Sequence, residues 1–286
     1  MIRCENVCHV YQPGTPFEKK AISDINLNIE KGELISIIGH TGSGKSTLIQ
    51  HFNALEKPTS GHVYIDGMDI SDGKTNLREI RKKVGLVFQY PEHQLMEETV
   101  FKDIAFGPVN MGLEGDELKE RVEIAARSIG LKEEYLEKSP FELSGGEKRR
   151  VAIAGVLAME PEALILDEPT AGLDPAGRDE LLELILKLND TGMTVIMVSH
   201  SMEDVARIAK RILVIDSGKI VLDGSVEQVF SEGEFLKNIG LDIPQISEVV
   251  LKLRECGADI SESVYTVDDA YREIVKLIQK KNRQNN

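Results

Sequence analysis

The octapeptide Gly39-His40-Thr41-Gly42-Ser43-Gly44-Lys45-Ser46 constrains this chain more than any other segment. It has the G-x-x-x-x-G-K-[ST] spacing, follows the apolar run Leu34 to Ile38, and leads into a helical pattern over Thr47 to Leu55. Glycines let successive backbone N–H groups turn inward around a phosphate chain, and the positive end of the following helix dipole adds to the attraction. Lys45 is placed to reach the outer phosphates, and the Ser46 hydroxyl to hold Mg²⁺. Gly39 to Thr47 is therefore read as a nucleotide cradle, ATP being the expected ligand. A strand that runs through such a loop into a helix belongs to an α/β sheet.

The rest of the pattern agrees. Ile25, Leu27 and Ile29 alternate with Asp24, Asn26 and Asn28 as in a half-buried strand, and Gly61–Ile65 and Val84–Phe88 add further strands. From Thr99 to Leu136 the spacing is helical, with Leu118, Val122, Ala125, Ala126 and Ile129 on one face. Buried-strand candidates Ala163–Leu166, Thr194–Val198 and Arg211–Ile215 are separated by helical stretches Pro175–Leu188 and Met202–Ala209. Such alternation predicts a parallel sheet covered on both faces. After about Glu232 the spacing changes: Ile246, Val249, Val250 and Leu253, then Ala270, Ile274 and Leu277, predict a small helical appendix. The expected division is residues 1–230 and 231–286, with a polar tail, Lys280 to Asn286, expected to fray.

Composition narrows the function. A net charge of −14 repels nucleic-acid phosphates and anionic lipid on average, so no nucleic-acid partner is expected. The longest fully apolar run, Val151 to Met159, is nine residues, against roughly 20 for a membrane span. The three cysteines, Cys4, Cys8 and Cys256, are odd in number and suit reduced thiols in a cytoplasm. Cys4, Cys8 and His9 share a first strand and have no fourth ligand at metal-site spacing.

Leu164-Ile165-Leu166-Asp167 is an apolar strand ending in an acid, the position where open α/β sheets form their ligand crevice. Asp167 is expected to hold Mg²⁺, and Glu168 to orient the attacking water and accept its proton. Gln89 and His200 each follow a strand and are placed to line the γ-phosphate side, Gln89 also beside the metal. Tyr11, before the turn residues Pro13-Gly14, is the candidate to stack on adenine. Between loop and acidic strand lies Leu143-Ser144-Gly145-Gly146-Glu147. This second phosphate clamp has no acidic strand of its own, and it makes sense if it closes on a nucleotide held by another subunit.

As an ordered set, Tyr11, Gly39–Thr47, Gln89, Leu143–Glu147, Leu164–Glu168, Gly172–Asp174 and His200 resemble the ABC-type ATPases. The resemblance implies an ABC ATPase core with an antiparallel β subdomain and a helical signature subdomain at about 95–150. It also implies that Ser144, Gly145 and Gly146 reach the partner's γ-phosphate in a head-to-tail dimer. More finely, residues 11–18, 88–95, 97–100 and 138–143 resemble the energy-coupling factor transporter ATPases of the second, A′ type. Those power uptake of vitamins or transition-metal ions through a transmembrane coupling subunit and a separate membrane substrate-binding protein. They sit peripherally on the cytoplasmic face of the membrane, as homo- or heterodimers strengthened by C-terminal helices. The alternative is an ATPase subunit of another ABC transporter class. Two departures stand out: Met96 where Phe is expected, and Glu147 where the signature usually ends in Gln, a carboxylate close to a triphosphate. Glu92, Glu97 and Glu98 are expected to form an acidic groove for a basic helix of the coupling subunit.

Overall fold

The computed structural model describes the backbone of residues 1–284 and the side chains of residues 1–280. Among the described residues, ten strands fall into two sheets. Strands β1 (Ile2–Tyr11), β2 (Lys19–Ile29), β4 (Ser60–Ile65) and β5 (Met68–Asp69) form an antiparallel sheet in the order β2-β1-β4-β5. Strands β3 (Leu34–Ile38), β6 (Val84–Val87), β7 (Ala163–Asp167), β8 (Thr194–Val198), β9 (Arg211–Asp216) and β10 (Lys219–Gly224) form the second, in the order β10-β9-β3-β8-β7-β6. All its pairs are parallel except β10 with β9.

Both faces of this larger sheet are buried, and residue parity decides which core each side chain joins. Leu34, Leu164, Leu166, Val195, Met197, Ile212 and Val214 pack with the helices on one side. Ile35, Ile37, Ala163, Ile165, Ile196, Leu213 and Ile215 pack with the antiparallel sheet and the helix Lys45–Phe52 on the other. Complete burial of β3 explains why it reads as an unbroken apolar run rather than an alternation.

The predicted helical region resolves into Val100–Asn110 and Gly115–Ser128, followed by a short turn of helix at Glu133–Tyr135. Val122, Ala125, Ala126 and Ile129 are buried as expected. The signature opens a further helix, Gly145–Leu157, whose N-cap is Ser144. Helix Leu77–Lys83, which the periodicity did not suggest, buries only Ile80.

Two expectations about the C-terminal region shift. The main core continues past residue 230, because Leu236, Leu241 and Ile243 are buried in the same cluster as the sheet's helical face. A separate cluster, Val250, Ile260, Val264 and Ala270, begins only beyond Pro244. The backbone is helical over Val267–Gln284, and residues 285–286 of the polar tail lie outside the described residues. No helix among the described residues is long and apolar enough to cross a membrane.

Candidate functional site

The sheet order β3-β8-β7-β6 sets the carboxyl ends of four neighbouring parallel strands in a row. In chain terms the row runs from the glycine loop, through Ser199 and His200, to Asp167 and Glu168, and then to Gln89. Strand spacing of about 4.8 Å makes these segments neighbours. Each residue is predicted separately from its own motif, and the topology brings them to one edge.

The loop's glycines are demanded sterically at two positions. A Cβ at Gly39 would lie 2.3 Å from the Ile215 carbonyl oxygen. Gly44, the N-cap of the helix Lys45–Phe52, has φ +112° and would meet the Ala21 carbonyl oxygen at 2.7 Å. His40 bonds Asp216 Oδ1 through Nε2 at 2.9 Å, which ties the loop to the end of β9. Lys45 Nζ donates to the Gly39 and His40 carbonyls at 2.7 and 3.0 Å. Burial lowers the Lys45 pKa, while the charges of Glu168 and Asp167 oppose the shift. Burial, and then the charge of Glu168, raise the Asp167 pKa against the pull of Lys45 and a hydrogen bond from Ser46. Thr47 Oγ1 lies 3.1 Å from the Tyr11 hydroxyl.

Glu168 sits at φ +51°, a left-handed conformation uncommon for a residue with a side chain. Its N–H donates to the Val198 carbonyl at 2.9 Å. Its Oε2 accepts from His200 Nδ1 at 2.7 Å and from the His200 backbone N–H at 3.3 Å. The Glu168 side chain is 13% exposed and that of His200 72%, so the pair joins a partly buried carboxylate to an open imidazole. Gln89 is exposed two residues beyond β6.

The signature stands apart from this edge. Ser144, Gly145 and Gly146 line a cleft of about 470 Å³ with Gly172, Asp174 and Gly177, and no glycine-loop residue contributes to its lining among the described residues. A Cβ on Gly145 or Gly146 would meet nothing in this chain within 4 Å. Glu147 closes a capping box: its Oε2 accepts from the Ser144 N–H at 2.8 Å and from the Ser144 hydroxyl at 2.7 Å. Those hydrogen bonds hold the Glu147 carboxyl below its ordinary range. The departure from Gln thus has a local role as a cap.

The three docking acids do not form one groove. Glu92 is turned inward onto Arg149, with Nε–Oε2 3.0 Å and Nη2–Oε1 2.8 Å. Burial pushes its pKa up, but the Arg149 hydrogen bonds and charge outweigh this and hold it low. Glu98 lies on the surface, paired with Lys102 one helical turn on. Only Glu97 lines the adjacent groove of about 920 Å³, which is mixed in character: Asp103 and exposed Met96 and Phe106 face Arg78, Arg81 and Lys82. Sequence could not show this, because the Glu92 partner lies far along the chain. Asp103, which motif spacing does not single out, holds this stretch: its Oδ1 accepts from the Met96 and Glu97 N–H groups at 3.1 and 3.2 Å. The first-strand thiol Cys4 is a core residue, and burial raises its pKa to about 12.

A glycine loop that opens a helix, a lysine and a carboxylate braced by histidine suit a nucleoside triphosphate, and the class is that of P-loop nucleotide hydrolases. A family model described as ABC transporter matches residues 22–171. The energy-coupling factor transporter ATP-binding protein EcfA2 of Clostridium tetani is 58% identical over 282 residues, spanning 98% of each chain. Among solved structures, cbiO1 of Clostridium perfringens, part of the ABC transporter complex cbiONQ, is 39% identical with a TM-score of 0.74, over 87% of this chain and 98% of that one. A dimeric ATP-binding cassette in a post-hydrolysis state with ADP and Pi is 34% identical with a TM-score of 0.70, over 79% of this chain and 99% of that one. The chain belongs to the ABC transporter ATPases, in the branch of energy-coupling factor ATP-binding subunits.

Proposed function

We propose that this chain is the ATP-hydrolysing subunit of an energy-coupling factor importer. It works peripherally on the cytoplasmic face of the membrane and powers uptake of a vitamin or transition-metal ion. Glycine-loop N–H groups and Lys45 hold the phosphates of ATP, and Tyr11 stacks on the adenine. Ser46, Asp167 and Gln89 offer a hydroxyl, a carboxylate and an amide oxygen, donors that suit a hard cation, and a positive charge there would offset the burial and the Glu168 charge that raise the Asp167 pKa. They would hold Mg²⁺, which when bound neutralises charge on the phosphates. Glu168 takes the proton of the attacking water. His200 holds the Glu168 carboxylate at its Nδ1 and presents its open face to the γ-phosphate.

The observation that carries the dimeric reading is the pair Gly145 and Gly146. Nothing in this chain forbids a side chain at either position, so their smallness serves a contact from outside. A second ATPase subunit, identical or a sister chain, places its γ-phosphate there beside Ser144. The membrane coupling subunit docks in the groove at Glu97 and Asp103, with Met96 and Phe106 as apolar contacts, and the substrate-binding protein assembles through it.

Affinity purification of the chain from detergent-solubilised membranes, with ATPase activity measured on the recovered material, tests this. The expected result is co-recovery of a polytopic membrane protein and a second ATPase, with the membrane protein diminished by Glu97→Lys. Recovery of the chain alone, without ATPase activity, would sink the proposal.

A further inference from the structure

Arg149 is a charged side chain with almost no exposure, 2%, in a helix that begins at the signature. Its guanidinium makes four hydrogen bonds to two other segments. The Nε and Nη2 groups form the fork onto Glu92. The Nη1 group donates to the carbonyls of Pro169 at 2.7 Å and Ala171 at 2.8 Å. Glu92 stands three residues after Gln89, and the stretch that follows it, Leu95 to Glu97, lines the docking groove. Pro169 directly follows Glu168. Between the two carbonyls, the Thr170 hydroxyl is held by Asp204 Oδ2 at 2.7 Å. The loop that fixes the left-handed Glu168 backbone is therefore gripped on both sides.

We propose that Arg149 is a positioning residue that locks the loop after Glu168 to the segment leading from Gln89 to the docking groove and to the signature helix. This rests on the ATPase reading above. A planar fork with five donors suits such a brace, since two N–H groups take the carboxylate while a third reaches both carbonyls. Displacement of the groove segment then moves Glu92, and through Arg149 moves both the Glu168 loop and the helix that presents Ser144. A group that only filled space or neutralised charge would not need carbonyls on the catalytic loop.

The test uses the full chain with the ATPase subunit that co-purifies with it. Arg149→Lys keeps the charge facing Glu92 but removes the fork. Misplacement of a catalytic group by about 1 Å can cost about 10²-fold, so kcat should fall by about ten- to a hundredfold, with the Kd for ATP held within about threefold. Hydrogen exchange in the peptide 168–174 should quicken without nucleotide. Glu92→Gln, which retains a hydrogen-bonded partner, should show the same split to a smaller degree. A folded Arg149→Lys chain with wild-type kcat and wild-type exchange overturns the proposal. So does a fall in kcat that is matched by ATP affinity and thermal stability together, since that marks a packing role. If Arg149→Lys does not fold, Glu92→Gln decides by the same criteria. A wild-type complex without ATPase activity would instead sink the ATPase reading, and the exchange measurement would still test the brace.

Discussion

At residue scale, Glu168 combines a backbone at φ +51° with a carboxylate that accepts two hydrogen bonds from His200. A left-handed residue bearing a side chain is stabilised only by its surroundings, here the Val198 carbonyl and the loop that Arg149 grips. Replacing Glu168 with Gln keeps shape and hydrogen bonding and removes the base. The hydrolysis rate should drop about 10²–10⁴-fold, while a fluorescent ATP analogue still binds, because Lys45 and the glycine loop are untouched. Light scattering should then find an ATP-bound dimer that accumulates; near wild-type turnover in this variant would remove Glu168 from its role. Motif spacing made these positions legible, since each stands within two residues of a strand end. The Ser144-x-x-Glu147 spacing of a capping box was open to reading; what spacing could not show is that Glu92 would turn inward onto Arg149, or that Arg149 would reach the Pro169 and Ala171 carbonyls. Those outcomes depend on which loops and helices meet, and an apolar pattern carries no information about the pairing of polar side chains.

At the scale of elements, the parallel strands of the larger sheet were legible because burial on both faces makes them apolar runs. Strands β5 and β10 were not, since β5 has two half-buried residues and no residue of β10 is fully buried. What fastens the two sheets at the edge away from the nucleotide is also polar. Asp66, in the turn after β4, bonds Lys83 at 2.8 Å and Lys31 at 3.4 Å, and Glu162, just before β7, bonds Lys31 at 2.5 Å and also Lys83. Hydrogen bonds from Lys31 and Lys83 hold the Glu162 carboxyl below its ordinary value of 4.5. Asp66 and Glu162 together raise Lys83 from 10.5 to about 12. A lowered acid contributes stability above its unfolded pKa and loses it as pH falls through the folded value. A raised lysine contributes fully below its unfolded pKa and loses that contribution as pH rises through the folded one. Half-exposed pairs are worth about 0.2–1 kcal/mol each, and about 1 kcal/mol corresponds to about 2–4 °C in a domain of this size. Lys83→Met should therefore melt a few degrees lower than wild type at pH 7. The gap should narrow below pH 4.5 and again from 10.5 towards about 12. A gap independent of pH would assign Lys83 a packing role only.

At the scale of the whole molecule, the change of spacing near Glu232 marks the start of the C-terminal helices but not the end of the core. Short helix Gly233–Asn238 reads as part of the appendix because it is too brief to show a face, yet Leu236, Leu241 and Ile243 join Val229 and Phe230 in the cover over the sheet. The later helices differ. Gln245–Glu255 and Val267–Gln284 share their own small cluster and leave Val249, Leu251, Val267, Tyr271 and Ile278 exposed, of which Val267, Tyr271 and Ile278 recur on one face of the last helix. Two truncations separate the roles. Ending the chain at Pro244 keeps the main cover, at the loss of the Phe230–Tyr265 contact, where the rings lie 5.5 Å apart. That chain should fold, bind ATP and dimerise more weakly in light scattering. Ending it at Phe230 removes three buried aliphatic side chains, and each such loss costs about 2–5 kcal/mol when a core side chain is cut to alanine. Against a typical total of about 5–15 kcal/mol, the shorter chain should be largely unfolded or melt far below the longer one. Equal melting temperatures for the two would return the boundary to residue 230. Unimpaired dimerisation of the Pro244 chain would leave the exposed apolar face without a role in assembly.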